Sequence, residues 1–311
     1  MRLRELLSYD KIVVQCHDNP DADALASGFG VYTYFKAQGK NVRFIYGGRF
    51  PIQKSNLILM KDMLQIPVEY VETLEPPELL VTVDCQYGEG NVTRFEAEKV
   101  AVIDHHQVSG KLPELNEVRS NLGACSTIVR ELLEAEGLEI NADKELATAL
   151  YYGLMTDTNN FTEVSHPLDK DLRDDAVFDR SLITRFRNAN LSLKELEIAG
   201  QALINYRYNE TYRYAVAMAK PCDPNILGMI SDLTLEVDTV DTCLVYSIQP
   251  FGVKISVRSC VKEVKAGELA EMGYVDADQV FPLGTKICVR TLEGDLDVIT
   301  RIRVSLYNAE G

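Results

Sequence analysis

The sequence predicts an α/β protein whose larger part is built on a parallel β-sheet. Short apolar runs, such as IVVQC at residues 12–16 and LLVTV at residues 79–83, alternate with longer stretches of helical periodicity. Strands that are apolar on both faces and separated by helices are typical of a parallel sheet with helices on both faces. After residue 210 closely spaced strands surround one clear helix, which predicts a smaller α/β unit with a mixed sheet.

The elements of the first part follow from apolar spacing and turn residues. Four segments are predicted strands: IVVQC, NVRFIYG, LLVTVDC and KVAVIDHH. The segment DALASGFGVYTYFKAQGK predicts a helix that starts near Ala24 and stops at Gly39, and SNLILMKDML predicts a helix with Ser55 as its N-cap. Apolar residues three or four positions apart predict amphipathic helices in GACSTIVRELLEAEGLE and DKELATALYYGLMTDT.

The rest of the chain divides into a helical stretch and a strand-rich end. Residues 168–206 are charged and helical in pattern, which indicates the end of a first domain and a connector. The predicted strands beyond are YRYAVAMA, TCLVYSIQ, GVKISVRS, KICVRTL and ITRIRVSLY, with the helix PNILGMISDLTLEV among them. We therefore predict domains at 1–185 and 209–311, joined by a connector at 186–208.

Composition excludes several classes of protein. A length of 311 residues favours two domains, and the net charge of −15 disfavours a protein that grips long nucleic acid through its phosphates. Seven cysteines, an odd number without a CxxC motif, indicate reduced thiols rather than a disulfide framework. No apolar run is long enough to span a membrane, and the N-terminal residues MRLRELLSYDK do not resemble a signal peptide. A cytoplasmic location is expected.

Acidic and histidine residues follow the predicted strands. The chain has four histidines, and three of them stand beside aspartates at strand ends. Ligands of an open parallel sheet bind at the carboxyl ends of its strands, so these side chains are expected to meet in one crevice. The residues concerned are His17, Asp21, Asp23, Asp84, Asp104, His105 and His106, together with Asp157 at the end of a predicted helix. His166 lies in a loop before a proline and is expected to be structural or exposed.

So many carboxylates in one crevice require neutralisation. Burying an unpaired carboxylate is costly, and no basic run lies nearby in the sequence. Mixed aspartate and histidine ligation suits Mn²⁺, with Mg²⁺, Co²⁺ and Fe²⁺ as alternatives. Two such ions about 3.5–4 Å apart form a common phosphoryl-transfer site. Each fragment alone is also consistent with a helix cap or a turn; their joint occurrence favours the metal site.

Several of these segments resemble a known family. CHDNPDADALAS, VTVDCQ, VIDHHQ and GLMTDTNNF resemble, in order and rough spacing, the four motifs of the DHH phosphoesterases. SNLGACSTIVRELL is similar to the family's segment after its DHH triplet, and the C-terminal half resembles the accessory DHHA1 domain through KISVRS. The resemblance covers nearly the whole chain and points towards the nanoRNase and pAp-phosphatase branch.

The resemblance implies a role for each matched residue. His17, Asp21 and Asp84 would hold one metal ion, and a second would be held by Asp23, Asp84, His105 and Asp157. His106 would contact the scissile phosphate, with Asp104 orienting the histidine pair, while Asp18 and Asn19 are not implied as ligands. In the second domain, Arg258 and Ser259 would bind substrate. The implied reaction is hydrolysis of a phosphoester by a hydroxide that bridges the two metals.

One departure from the family keeps alternatives open. DHHA1 domains carry a GGGH loop, but this region reads AGELAEMGYVDADQVFPLG, and no histidine follows His166. The leading hypothesis is a phosphoesterase acting on short nucleotides: nanoRNA, pAp or linear dinucleotides. Inorganic pyrophosphatase or exopolyphosphatase is one alternative, although the basic SRKKQ-type segment of the pyrophosphatases is absent from the sequence. A nucleotide-binding regulatory protein with a slow site is another. A small phosphorylated substrate or short oligonucleotide is the expected partner, and a homodimer stays open.

Overall fold

The computed structural model describes residues 1–90, 92–108, 110–189, 191–222, 224–249, 252–261, 264, 286–291 and 302–307. The chain divides into two compact units, Met1–Leu191 and Ser192–Gly311. This division falls within the predicted connector at 186–208. The domain limits at 185 and 209 stay a prediction.

The first unit contains a six-stranded parallel sheet. Its strands are β1 (Lys11–Cys16), β2 (Asn41–Tyr46), β3 (Val68–Tyr70), β4 (Leu79–Val83), β5 (Lys99–Asp104) and β6 (Leu115–Val118). They lie in the order β3-β2-β1-β4-β5-β6, and every neighbouring pair is parallel. The order reverses between β1 and β4, which is the position where open α/β sheets bind their ligands.

Six α-helices are described in this unit: α1 (Ala22–Ala37), α2 (Ser55–Met63), α3 (Cys125–Ala135), α4 (Lys144–Asp157), α5 (Pro167–Asp175) and α6 (Arg180–Asn188). The predicted stop at Gly39 is confirmed, because this residue has a φ of 72° two positions beyond the end of α1. The start of α1 lies two positions before the predicted start near Ala24, and the predicted N-cap of α2 is wrong. α1 begins at Ala22 because Asp21 caps it, and Lys54, not Ser55, is the N-cap residue of α2.

The two faces of the sheet are covered differently. On one face, side chains such as Val14 and Val81 form a large core with the apolar faces of the helices. On the other, Val13, Ile45 and Leu80 are covered by residues of the loops, chiefly Phe95. The α/β class and the parallel sheet are confirmed, but the expectation of helices on both faces is not met in the described residues. The physical reason is that a loop, rather than a helix, joins β4 to β5.

The second unit carries a smaller mixed sheet. Its elements are α7 (Leu193–Ile204), β7 (Arg207–Asn209), β8 (Tyr214–Ala219), α8 (Pro224–Leu235), β9 (Thr242–Gln249) and β10 (Gly252–Ser259). The sheet order is β10-β9-β8-β7, with β8 and β9 parallel and the other pairs antiparallel, so the predicted mixed sheet is confirmed. A separate antiparallel pair consists of β11 (Lys286–Thr291) and β12 (Ile302–Tyr307). Residues 266–284, where the resemblance would place the GGGH loop, lie outside the described residues.

Two predictions from composition concern the described residues. None of their helices combines the length and the apolar character that a membrane crossing requires. The cysteines at positions 16, 85, 125, 222, 243 and 260 are all free thiols.

Candidate metal centre

Three neighbouring strands end in candidate ligands. His17 follows β1, Asp84 follows β4 and His105 follows the last residue of β5. Because β1, β4 and β5 are adjacent and parallel, their carboxyl ends converge. The Nε2 atom of His17 lies 3.7 Å from Asp84 Oδ2, and the Nε2 atom of His105 lies 3.4 Å from Asp84 Oδ1. Asp84 is therefore the carboxylate between the two imidazoles.

The backbone at Asp84 directs its side chain into this cluster. Its φ is 57°, a left-handed conformation that aspartate and asparagine tolerate better than most residues. Its N–H donates to the carbonyl oxygen of Ile103 at 2.9 Å, which fixes the Asp84 backbone to the neighbouring strand β5. The side chain is 2% exposed. Burial, followed by the negative charge of Asp23, raises the pKa of the Asp84 carboxyl well above its usual range.

Asp21 both caps helix α1 and lies beside His17, with which it and Asp84 form a first group of candidate ligands. One oxygen, Oδ1, accepts a hydrogen bond of 3.0 Å from the Ala24 N–H and caps α1. The other, Oδ2, lies 3.6 Å from His17 Nε2. Partial burial opposes ionisation, but hydrogen bonding and charge from His17 and, more weakly, the charge of Lys54 lower the pKa of Asp21 to about 2. Asp21 is therefore an ionised carboxylate beside the imidazole.

Asp23 is oriented by the N-terminus of α3. Its Oδ2 accepts a hydrogen bond of 2.7 Å from the Cys125 N–H, and its Oδ1 accepts one of 2.9 Å from the Ser126 N–H. The Ser126 hydroxyl also donates to Oδ1. These donors hold a fully buried carboxylate whose pKa is about 7, raised by burial and then by the charge of Asp157. Sequence reasoning did not assign Ser126; its position in the first turn of a predicted helix was the available signal.

His105 and Asp157 form a second group of candidate ligands together with Asp23. The Nε2 atom of His105 lies 3.0 Å from Asp157 Oδ2, and its Nδ1 atom is 3.3 Å from the carbonyl oxygen of Leu122. The Leu122 contact turns Nε2 towards the carboxylates. Although burial opposes protonation, Asp157 and the charge of Asp23 raise the pKa of His105 to about 9.

A glycine lets α4 approach this group closely. Gly153 lies one helical turn before Asp157. A Cβ atom at position 153 would collide with the Ser126 hydroxyl and would lie 2.9 Å from Asp23 Oδ1. The missing side chain therefore allows Asp157, Asp23 and Ser126 to occupy one small volume.

His106 stands at the exposed side of the cluster. Its Nδ1 atom is 2.8 Å from Asp104 Oδ1, and its side chain is 59% exposed. The fully buried Asp104 also accepts hydrogen bonds of 2.9 Å from the His105 N–H and from Gln86 Nε2. The hydrogen bond to Asp104 raises the pKa of His106. Since Nδ1 is used by Asp104, Nε2 is the ring nitrogen left to contact a substrate. Sequence reasoning did not assign Gln86.

The cluster has the donor set and spacing that divalent cations require. Three groups each bring their ligand atoms within 4.8 Å of one another: His17, Asp21 and Asp84; Asp23, His105 and Asp157; and Asp84, His105 and His106. Two ligand atoms bound to the same cation at about 2.0–2.2 Å lie roughly 3 Å apart. Within the described part of the chain, the buried atom Asp84 Oδ1 has no hydrogen-bond partner. A cation would satisfy this atom and offset the repelling carboxylates.

The remaining residues singled out from the sequence lie elsewhere. Arg258 and Ser259 are at the end of β10 in the second unit. Arg258 Nε is 3.1 Å from Asp232 Oδ1, and the Ser259 hydroxyl lies 3.0 Å from the Thr242 hydroxyl. Their substrate-binding role stays a prediction. His166 caps α5 by accepting a hydrogen bond of 3.2 Å from the Leu168 N–H, which agrees with a structural role.

Residues 11–154 match the model of the DHH family, N-terminal domain. The first unit is a DHH-family domain. The match contains all the candidate ligands except Asp157, which stands three residues beyond it at the end of α4.

Relatives of the DHH domain carry several different names. Over 266 residues the chain is 23% identical to an uncharacterized protein of Methanocaldococcus jannaschii, covering 85% of this chain and 55% of the relative. Over 151 residues it is 30% identical to the bifunctional oligoribonuclease and PAP phosphatase NrnA of Thermus thermophilus, covering 48% of this chain and 44% of the relative. Over 154 residues it is 30% identical to a probable manganese-dependent inorganic pyrophosphatase of Streptococcus mutans, covering 48% of each. The chain thus spans about half the length of these relatives.

One solved structure shares the fold over most of the chain. An exopolyphosphatase-related protein from Bacteroides fragilis superposes with a TM-score of 0.67 at 19% identity, covering 87% of this chain and 86% of the other. At 19% identity this similarity shows that the two chains share a fold, and it carries no statement about activity.

Proposed function

We propose that the chain is a metal-dependent phosphoesterase that hydrolyses phosphomonoester or phosphodiester bonds of short nucleotides. The observation that carries the proposal is the position of Asp84, a buried carboxylate with one oxygen near His17 and the other near His105. A carboxylate placed in this way can bridge two cations. We assign His17, Asp21 and Asp84 to one divalent ion and Asp23, Asp84, His105 and Asp157 to the other.

The side chains around the ligands would act on the phosphate. Bound divalent ions lower the pKa of water and stabilise negative charge on a phosphoryl group. His106, held by Asp104, presents its Nε2 atom on the exposed side of the cluster. Its hydrogen bond with Asp104 raises the pKa of this imidazole, and in the protonated form it can donate a hydrogen bond to a phosphate oxygen as charge develops there. Gln86 and the His105 N–H fix the Asp104 carboxylate, so the donor is oriented before substrate binds.

Short nucleotides are the proposed substrates because the NrnA relative is named for oligoribonuclease and PAP phosphatase activity. The pyrophosphatase relative supports the competing substrate class at the same identity and suggests Mn²⁺ as the metal. A net charge of −15 disfavours long nucleic acid, which leaves short substrates as the better fit. We keep Arg258 and Ser259 as proposed substrate contacts from the second unit.

A substrate panel with a matched histidine control tests the proposal. The full chain is incubated with Mn²⁺ and pAp, pApA, short RNA, pyrophosphate or polyphosphate, and phosphate or nucleotide release is measured. We expect turnover of the nucleotides, and a loss of at least about 100-fold in kcat/KM in His105→Gln. His166→Asn is the control, because an asparagine retains the helix cap outside the cluster.

Three results would contradict parts of the proposal. Near-normal activity of His105→Gln would exclude the assigned centre. Turnover of pyrophosphate or polyphosphate in preference to nucleotides would replace the substrate class. Tight nucleotide binding without hydrolysis under Mn²⁺, Mg²⁺ or Co²⁺ would make the chain a binding protein.

A further inference from the structure

The loop that follows β2 packs directly against the loop that carries the first ligands. Gly47 and Gly48 stand immediately after Tyr46, the last residue of β2. Gly48 has a φ of 96°, and a Cβ atom there would lie 2.7 Å from the Cβ atom of Asp18. Asp18 stands next to His17. Residues 47–54, here called the β2 loop, therefore lie beside the metal centre.

Hydrogen bonds fix the β2 loop on both sides of its tip. On one side, the Gly48 N–H donates to the Thr93 hydroxyl at 3.0 Å, and the Tyr70 hydroxyl donates to the Gly48 carbonyl at 3.0 Å. On the other side, the Ile52 N–H donates to the Tyr46 hydroxyl at 2.9 Å. These hydrogen bonds hold the backbone of the loop in a defined conformation.

Asp18 strengthens this arrangement. Its Oδ1 accepts a hydrogen bond of 2.8 Å from the Thr93 N–H, and its Oδ2 accepts one of 2.9 Å from the Thr93 hydroxyl. Thr93 thus connects the β2 loop to the residue beside His17. This explains why Asp18 is not available as a ligand, although it stands among the ligands in the sequence.

The tip of this fixed loop presents an aromatic ring to solvent. Phe50 is 59% exposed, and the Arg49 guanidinium lies 5.4 Å from its ring centroid. Among the described residues of the first unit, Phe50 is the one aromatic side chain among the exposed large hydrophobics. An exposed ring on a well-anchored loop is poorly explained by packing, because it contributes little to the core. Lys54, whose charge acts on Asp21, ends the same loop.

We propose that Phe50 is a stacking surface for a nucleobase of the substrate whose phosphate binds at the metal centre. The inference rests on the proposed function and deepens it, because it assigns the substrates to compounds that contain a base. Bases of any sequence stack on an aromatic face, and a neighbouring guanidinium favours an anionic ligand. Pyrophosphate and polyphosphate have no ring and would gain nothing from Phe50.

Two kinds of measurement test this proposal on the full chain. The first is kcat/KM with Mn²⁺ for pApA and for two analogues of it, each abasic at one of the two positions. The second is binding of a 5′-phosphorylated dinucleotide containing 2-aminopurine, whose fluorescence is quenched by stacking. Wild type, Phe50→Tyr, Phe50→Leu and Phe50→Ala are compared, with Val177→Ala as a control at another exposed apolar position of the first unit.

We expect the aromatic ring, rather than apolar bulk, to matter. Phe50→Leu and Phe50→Ala should lose roughly 5- to 100-fold in kcat/KM for pApA and lose the fluorescence quenching, while Phe50→Tyr and Val177→Ala retain both. At least one abasic analogue should be insensitive to the change. Equal losses for every abasic analogue and pApA, or full retention in Phe50→Leu, would overturn the proposal.

The binding measurement separates this inference from the proposed function. If wild type hydrolyses no nucleotide but quenches 2-aminopurine in a Phe50-dependent manner, the function fails and the stacking site stands. If wild type hydrolyses pApA and neither measurement responds to Phe50→Ala, the function stands and the stacking site is wrong.

Discussion

Ser126 donates hydrogen bonds to Asp23 Oδ1 from both its backbone N–H and its hydroxyl. The contact joins the first turn of α3 to the first turn of α1, 103 positions apart in the chain. It orients a buried carboxylate that lies beside both Asp157 and His105, and a positive helix N-terminus suits that role. The orientation of the proposed ligand Asp23 thus depends on Ser126, which the sequence does not mark as a ligand.

Replacement of Ser126 by alanine is expected to weaken metal binding. The backbone N–H stays, but the hydroxyl donor is lost and the Asp23 carboxylate becomes less well oriented. We expect the Kd for Mn²⁺, measured by calorimetry, to rise about 10- to 100-fold. Ser120→Ala, at an exposed position before α3, is the control. An unchanged Kd in Ser126→Ala would show that the backbone donors alone orient Asp23.

His106 is expected to serve the substrate more than the metal. His106→Ala should lower kcat about 100- to 1,000-fold at saturating Mn²⁺, because the proposed hydrogen-bond donor to the phosphate is lost. The Kd for Mn²⁺ should change less than threefold, since Nδ1 is already bonded to Asp104. A parallel loss of metal affinity would instead identify His106 as a ligand.

Asp84→Asn is expected to raise the stability of the metal-free protein while weakening its metal binding. Asparagine tolerates the left-handed backbone at this position, and it removes a buried charge that four other aspartates repel. Without metal, the variant should therefore have a higher Tm than wild type by calorimetry. With Mn²⁺ at about 100 times the wild-type Kd, wild type should gain about 5–10 °C and the variant little. A variant that gains as much as wild type would contradict the bridging role.

The metal-free protein is expected to become less stable as pH rises. The folded state raises the pKa of Asp23 from 3.8 to about 7 and that of His105 from 6.5 to about 9. Both groups bind protons more tightly when folded, so the free energy of unfolding falls with pH, through Asp23 between about 4 and 7 and through His105 between 6.5 and 9.

Thermal unfolding in EDTA between pH 5.5 and 8.5 measures this dependence. We expect Tm to decrease across the range, and Asp23→Asn to flatten the lower half of the curve. With Mn²⁺ present, Tm should instead hold or rise with pH, because metal binding requires deprotonated ligands. A Tm in EDTA that rises with pH would show that other groups dominate.

Much of the candidate centre could be predicted because most of its proposed ligands lie close to strand ends. The runs before His17, Asp84 and His105 are continuous and apolar, so their strands and their carboxyl ends can be located without a structure. The covering of the sheet could not be predicted in the same way. The apolar residue Phe95 covers the second face from within a loop, where no periodicity marks it as part of the core.

The sequence by itself determined the α/β class of the first unit, the candidate ligands and the kind of chemistry they suit, because strand patterns and strand-end residues are encoded within a few positions of one another. Only the tertiary structure decided which groups orient those ligands. Asp18 and Asp23 stand five positions apart, yet one holds Thr93 and the other is held by Ser126. These partners lie 75 and 103 positions away, and contacts at such separations depend on how the helices and loops pack. No local pattern records that packing.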